Sequence, residues 1–238
     1  MDRKATPNAN LRILACDVFT RTGWMSRQPS ELRELVLQTA DLRRIRAKEF
    51  VYYQGDHPNG IFGVVSGCFM VESILQDGRR QAVSLMQEGS WFGELSTIEG
   101  GRRPSSAIAT TEAVVLHIPP ELFIKIIDRD PRHLMSIANL LSERVQTMSW
   151  LREELSAPDP VHRVSTILVS LTDVRERANL KLEVVIPITQ DQLASFANLS
   201  RQTVNHALKH LEKLGVIECR YGAIILKPDC GANLAHTM

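Results

Sequence analysis

Arg201, Gln202, Asn205 and His206 bring a guanidinium, two carboxamides and an imidazole into one short stretch of chain. These groups match the base edges of duplex DNA. A guanidinium offers two parallel donors to guanine, and a carboxamide offers a donor and an acceptor to adenine. At helical spacing they turn away from Val204, Ala207, Leu208 and Leu211, which recur at i, i+3, i+4 and i+7 as a buried stripe does. A second group, Glu94 and Arg103, suits different chemistry. A carboxylate accepts hydrogen bonds from hydroxyls such as those of a ribose. A guanidinium makes a paired, charge-assisted contact to a phosphate. Gly93 beside them lets a backbone approach a ligand closely. A glutamate and an arginine so placed equally suit a structural pair that fixes its own loop, and both readings stand.

Base-reading side chains need a helix held at a fixed angle, and residues 189–214 supply the parts. Thr189 followed by Gln192 is a capping-box pattern that starts one helix, whose apolar face is Leu193, Phe196 and Ala197. Ala194 keeps that helix narrow where a second must cross it. Asn198 stands at the turn, where a positive φ is needed and Asn tolerates it. Ser200 caps the second helix. The candidate DNA contacts are Thr189, Ser200, Arg201, Gln202, Thr203, Asn205, His206 and Lys209. Gly215 ends the helix at a C′-like position. Ile217 to Arg220 and Ala223 to Leu226 then read as two short strands about Tyr221-Gly222. A helical hairpin followed by such a wing is a winged helix-turn-helix.

Upstream, residues 11–45 read as helical, with Trp24, Leu32, Leu35 and Val36 packed inward. From Glu49 the texture becomes β-rich: Phe50–Tyr53, Gly60–Val65, Cys68–Leu75, Gln81–Met86 and Ala113–Ile118 are separated by glycine turns, as in a closed β structure. Pro119-Pro120 starts a helix through Ile127. A long helix follows from about Pro131 to Leu155. Its Leu134, Ala138, Leu141, Val145, Met148 and Leu155 alternate at three and four residues, with Arg152 interrupting, as in a seam that pairs with a second copy. Ile137, Leu140 and Leu151 give the same helix a further apolar side for the β domain. Pro158 and Pro160 mark a hinge. A helix from Val161 to about Arg177 and a strand Val184–Ile188 lead into the helix-turn-helix.

Composition narrows the function. The chain has 238 residues, 44% apolar and 23% charged, and no apolar run near the ~20 residues that span a bilayer. Without a signal-like N-terminus, a cytoplasmic protein is expected. Residues 156–238 hold nine Lys or Arg against eight Asp or Glu, so attraction to DNA must be local: Arg201, Lys209, Lys213 and Arg220, with His206 and His210. Cys16, Cys68, Cys219 and Cys230 form no C-x₂-C pair, which argues against zinc or a clustered iron–sulfur centre; they read as reduced residues, with Cys16 placed where a redox sensor would be accessible. His57, His117 and His133 read as surface or packing histidines. No nucleophile–base pairing, metal-ligand spacing or phosphate loop points to an enzyme.

The order of these parts resembles the cyclic-AMP receptor protein family of bacterial transcription regulators, the CRP/FNR superfamily. The resemblance covers residues 48–228 and rests on Gln54-Gly55-Asp56, Val65-Ser66-Gly67, Phe92-Gly93-Glu94-Leu95-Ser96, Arg103, the long helix and Leu199-Ser200-Arg201-Gln202-Thr203-Val204. It implies an α+β chain: an N-terminal β-roll of the cyclic-nucleotide-binding kind (1–130), a dimerisation helix (131–157) and a C-terminal winged helix-turn-helix (158–238). It further implies a homodimer on an inverted repeat in double-stranded DNA, RNA polymerase as a partner, and a small effector in the roll. That effector's contacts would be Gly93, Glu94, Leu95, Arg103, Pro104, Ser105, Met148 and Ser149. Two departures bear on cyclic AMP as the effector. Pro104 lacks the N–H that faces the phosphate in the family. Met148-Ser149 stands where the family has Thr-Ser against the base. A roll that serves only as a scaffold for a ligand-independent regulator is the alternative. In the helix-turn-helix, Arg201 matches the family's guanine-reading arginine. Gln202 stands where glutamate is frequent, and His206 where a further arginine is found.

Overall fold

The computed structural model describes residues 7–172 and 183–228. The chain forms two compact units, residues 1–79 with 83–141 and residues 80–82 with 142–238. Among the described residues no helix is long and apolar enough to cross a membrane.

The first unit is built on two four-stranded sheets. Its strands are β1 (Asp41–Ile45), β2 (Phe50–Tyr52), β3 (Ile61–Ser66), β4 (Phe69–Ile74), β5 (Arg80–Met86), β6 (Trp91–Phe92), β7 (Ser106–Ala109) and β8 (Ala113–Ile118). One sheet runs β1-β8-β3-β6 and the other β2-β7-β4-β5. Strand alternation sends successive residues to opposite faces. In β8, Ala113 and Val115 point between the sheets, toward Tyr52, Phe62, Phe69 and Phe92. Val114, Leu116 and Ile118 point the other way, into a core shared with helices. Those helices are α1 (Pro7–Arg21), α2 (Ser30–Thr39), α4 (Pro120–Arg129) and the start of α5 (Pro131–Glu154). Short α3 (Glu94–Glu99) follows β6.

Residues 11–45 are not a single helical stretch, as the sequence suggested. A 3₁₀ turn at Trp24–Arg27 separates α1 from α2, with Gly23 at φ 67°, and 41–45 is the edge strand β1. Leu42 and the buried Ile45 there serve a strand paired to β8, and exposed Arg43 and Arg44 between them leave no helical stripe. Gly63 leaves the space that Trp91 and Phe19 fill; a Cβ there would stand 2.7 Å from the Trp91 ring. Within α5, Ile137 and Leu140 join the helical core as expected, whereas Leu134 and Ala138 are exposed.

The second unit packs α6 (Pro160–Ser170) with α7 (Gln190–Ala197) and α8 (Arg201–Lys213) beside a three-stranded sheet. That sheet orders β10 (Ile217–Arg220), β11 (Ala223–Leu226) and β9 (Val184–Ile186). Asp159 caps α6 through Val161 and His162, with Pro160 in its first turn. The helix ends at Ser170, short of the expected Arg177, which lies outside the described residues, as does Cys230. β9 stops at Ile186 rather than Ile188. Cys16 is exposed, Cys219 is partly covered, and Cys68 is buried, which pushes its thiol up to about 11.

Candidate nucleic-acid interface and effector pocket

The helix-turn-helix is fixed by local hydrogen bonds. The Thr189 hydroxyl accepts from Gln192 N at 3.2 Å, and Gln192 Oε1 accepts from Thr189 N at 2.8 Å. Asn198 ends α7 in the left-handed region, at φ 50°. The Ser200 side chain accepts from Thr203 N at 3.1 Å and so caps α8. Val204, Ala207, Leu208 and Leu211 are buried, as are Leu193, Ala194, Phe196 and Ala197 on α7. Arg201, Gln202, His206 and Lys209 are exposed, while Thr203 and Asn205 are half-buried. Beyond α8 the Gly215 and Val216 amides bond back to Glu212 and Leu211 with Gly215 at φ 72°, a Schellman ending that aims the chain into the wing.

Two contacts here were not foreseen from the sequence. Asp191, in the first turn of α7, accepts from Arg201 Nη1 at 3.1 Å. Gln190 Oε1 accepts from Asn205 Nδ2 at 3.1 Å. Tyr221 stands fully exposed at the wing tip. Behind it Glu218 receives Arg220 Nε at 2.6 Å and also Lys227, which meets Glu183 at 2.8 Å. Lys227 and then Arg220 hold the Glu218 carboxyl below the usual carboxylate range. The wing cations are thus partly neutralised by their own strands.

In the first unit Gly93, Glu94 and Arg103 come together. Gly93 takes φ 89° at the start of α3, and a Cβ there would lie 2.9 Å from both Arg103 Nη1 and Gly60 O. Arg103 is 2% exposed. Its Nη1 donates to Gly93 O at 2.7 Å and to Ser96 Oγ at 2.8 Å. Its Nη2 donates to Asn59 Oδ1 and Gly60 O, each at 2.6 Å. Its guanidinium lies 4.0 Å over the Tyr52 ring. Four of the five N–H groups therefore meet neutral acceptors of the roll itself, and Nε is buried with no hydrogen-bond partner. Burial lowers the basicity of this guanidinium, while Tyr52, Glu94 and Asp56 oppose the shift. The backbone joins in: Arg103 N donates to Asp56 O and Gly55 N to Arg103 O, which ties the 54–56 turn to the 102–104 segment.

Glu94 is buried, Leu95 and Pro104 are exposed, and Ser105 is half-buried. Met148 and Ser149 are exposed on α5 in the second unit. The acceptors around Arg103 had no signal in the sequence beyond the turn-forming pair Asn59-Gly60. His117 and His133 are buried packing histidines, bonded to Asn59 O and Ile126 O at 2.6 Å, and His57 is exposed.

Residues 42–130 match the model of the cyclic nucleotide-binding domain, and residues 162–229 match that of the Crp-like helix-turn-helix domain. The chain is 28% identical over 174 residues to the cyclic AMP receptor protein of Thermus thermophilus, covering 73% of this chain and 78% of that protein. It is 23% identical to the cAMP-activated global transcriptional regulator CRP of Haemophilus influenzae, over 88% of this chain and 94% of that one. Its fold is similar to that of FixK2 from Bradyrhizobium japonicum, with a TM-score of 0.71 at 20% identity over 83% of this chain and 96% of that chain.

Proposed function

We propose a residue-level reading for this chain, which belongs to the CRP/FNR superfamily of DNA-binding transcription regulators. It acts as a cytoplasmic homodimer that reads an inverted repeat and communicates with RNA polymerase. Residues 1–130 form the effector-sensing part, 131–157 the dimer helix and 158–238 the DNA-binding part. The observation that carries the DNA reading is the doubly capped α7–α8 hairpin. It directs Arg201, Gln202 and His206 outward from the first turns of α8 over a buried apolar stripe. A helix presented by its N-terminal side chains enters the major groove, and two copies suit half-sites about 10–10.5 base pairs apart. Arg201 reads one guanine per half-site. Thr189, Ser200, Thr203 and Lys209 place polar or charged groups for the backbone, where contacts fix register.

Selection of the full chain on a randomised inverted-repeat library tests this. The expected product is a symmetric site with one invariant guanine per half-site, and Arg201→Ala relaxes that position alone. Enrichment of no sequence by the wild-type chain would refute the reading.

The roll takes a small effector near Gly93, Glu94 and Arg103. A second reading is favoured by one observation: Arg103 already spends four donors on Gly60, Gly93, Asn59 and Ser96. On that reading Arg103 is the strut that holds the roll's loops, and the effector is recognised by other groups than an arginine on a phosphate.

A further inference from the structure

The side chains that face DNA do not stand alone. Arg201 and Asn205, one turn apart on α8, each meet a side chain from the first turn of α7, Asp191 and Gln190. Arg201 and Asp191 are 68% and 65% exposed, so their pairing contributes little to holding the fold. The contact is better understood by what it does to the arginine. A long side chain at the surface samples many rotamers, and ordering it on binding costs affinity. Asp191 removes part of that freedom beforehand. It engages Nη1 only, which leaves the Nε–Nη2 edge as a planar two-donor fork. That edge matches the O6 and N7 acceptors of guanine. Likewise, Gln190 fixes the Asn205 amide by one Nδ2 hydrogen and leaves Oδ1 for a base.

We propose that Asp191 is a specificity-determining residue, a buttress whose carboxylate aims Arg201 at guanine and keeps it off the phosphates. The carboxylate acts in two ways. It orients the fork, and its charge next to the DNA backbone makes a loose, sequence-blind approach less favourable. Asp191 also sits in the first turn of α7, where a carboxylate suits the helix dipole whatever Arg201 does. That purely structural role would lower stability and weaken every DNA equally. A buttress changes discrimination.

The inference rests on the DNA reading proposed above, so the experiment separates the two. The full chain is titrated with its selected operator, with the same operator carrying adenine for the guanine, and with random duplex over a salt series. In Asp191→Ala the guanine-over-adenine ratio is expected to fall about three- to ten-fold, with preferences at other positions retained. Its log–log salt slope on random duplex is expected to steepen by about one phosphate contact as the released arginine turns to the backbone. Asp191→Glu retains most of the discrimination. Asp191→Asn gives an intermediate loss and serves if the alanine variant folds poorly. An unchanged ratio in Asp191→Ala and Asp191→Asn, or an equal weakening on all three DNAs, overturns the buttress. A wild-type chain with no guanine preference overturns the DNA reading and the buttress with it.

Discussion

Arg103 is 2% exposed and makes four side-chain hydrogen bonds within the first unit. Its side chain bridges segments more than thirty positions apart, joining Asn59 and Gly60 to Gly93 and Ser96. Truncating it leaves the Gly60 and Gly93 carbonyls with only the single Thr97 hydroxyl hydrogen between them, and strands Asn59 and Ser96 as well, each unpaired buried group costing about 1–3 kcal/mol. Arg103→Met is therefore expected to lower the stability of this unit by about 3–5 kcal/mol, read from urea unfolding of the full chain followed by tryptophan fluorescence. Trp24 and Trp91 both lie in this unit's helical core. The same variant bears on the effector. If Arg103 is chiefly a strut, calorimetric titration of the wild-type chain with cyclic AMP gives no saturable heat. Micromolar binding by wild type that Arg103→Met loses while still folded would return the arginine to the phosphate, and would show that the missing N–H of Pro104 is tolerated. Gly93, Glu94 and Arg103 were legible as a group in the sequence. Where the guanidinium points was not, because two of its acceptors are backbone carbonyls, which leave no trace in residue type, and a third, Asn59, is 44 positions away.

Among the elements, those with a local signal, whether a cap, a glycine turn or a β-rich run, were readable, and a few short ones known only by their partners were not. Caps at Thr189 and Ser200, a left-handed Asn198 and a glycine ending at Gly215 fix α7 and α8 within a few residues of themselves, and the structure has each of them. β1, β6, β7 and α3 escaped. β7 is the four-residue Ser-Ala-Ile-Ala, recognisable as a strand only by its pairing to β2 and β4, and β6 is two residues paired to β3. β1 looked like the tail of a helix until β8 supplied its partner. The turn offers a direct check. At φ 50°, Asn198 holds a conformation that costs an ordinary L-residue about 1–2 kcal/mol and a β-branched residue the most. Asn198→Val is expected to destabilise the second unit by about 1–2 kcal/mol, and Asn198→Gly to leave it within about 0.5 kcal/mol of wild type. Thermal unfolding followed by circular dichroism ranks the two; equal values would mean the turn relaxes to another geometry.

At the scale of the molecule the question is what α5 does with its outer side. Its inner residues Ile137 and Leu140 are spent on the core of the first unit. Leu134, Val145 and Met148 are 55%, 63% and 53% exposed, and Ala138 is exposed between them. They fall at spacings of four, seven and three residues, as positions of a heptad seam do, while Leu141, which the sequence placed in the same seam, is partly buried against the core of the first unit. On the reading proposed above a second copy of the chain covers this outer side, and a dimer is what would make an inverted repeat readable. One winged helix contacts only a half-site. Joining two on one DNA converts the second contact into an intramolecular step, worth about 10²- to 10⁴-fold in affinity when the geometry allows both. A charge buried in the seam breaks this without touching α7 or α8. Val145→Glu is expected to give a folded monomer by sedimentation equilibrium at micromolar concentration. Its affinity for the full operator should fall by at least about a hundred-fold, toward that for an isolated half-site, with the guanine preference proposed for Arg201 retained. A variant that stays dimeric and binds as wild type would place the seam elsewhere than on α5. A monomer that kept full affinity would mean that each helix-turn-helix reads its half-site alone.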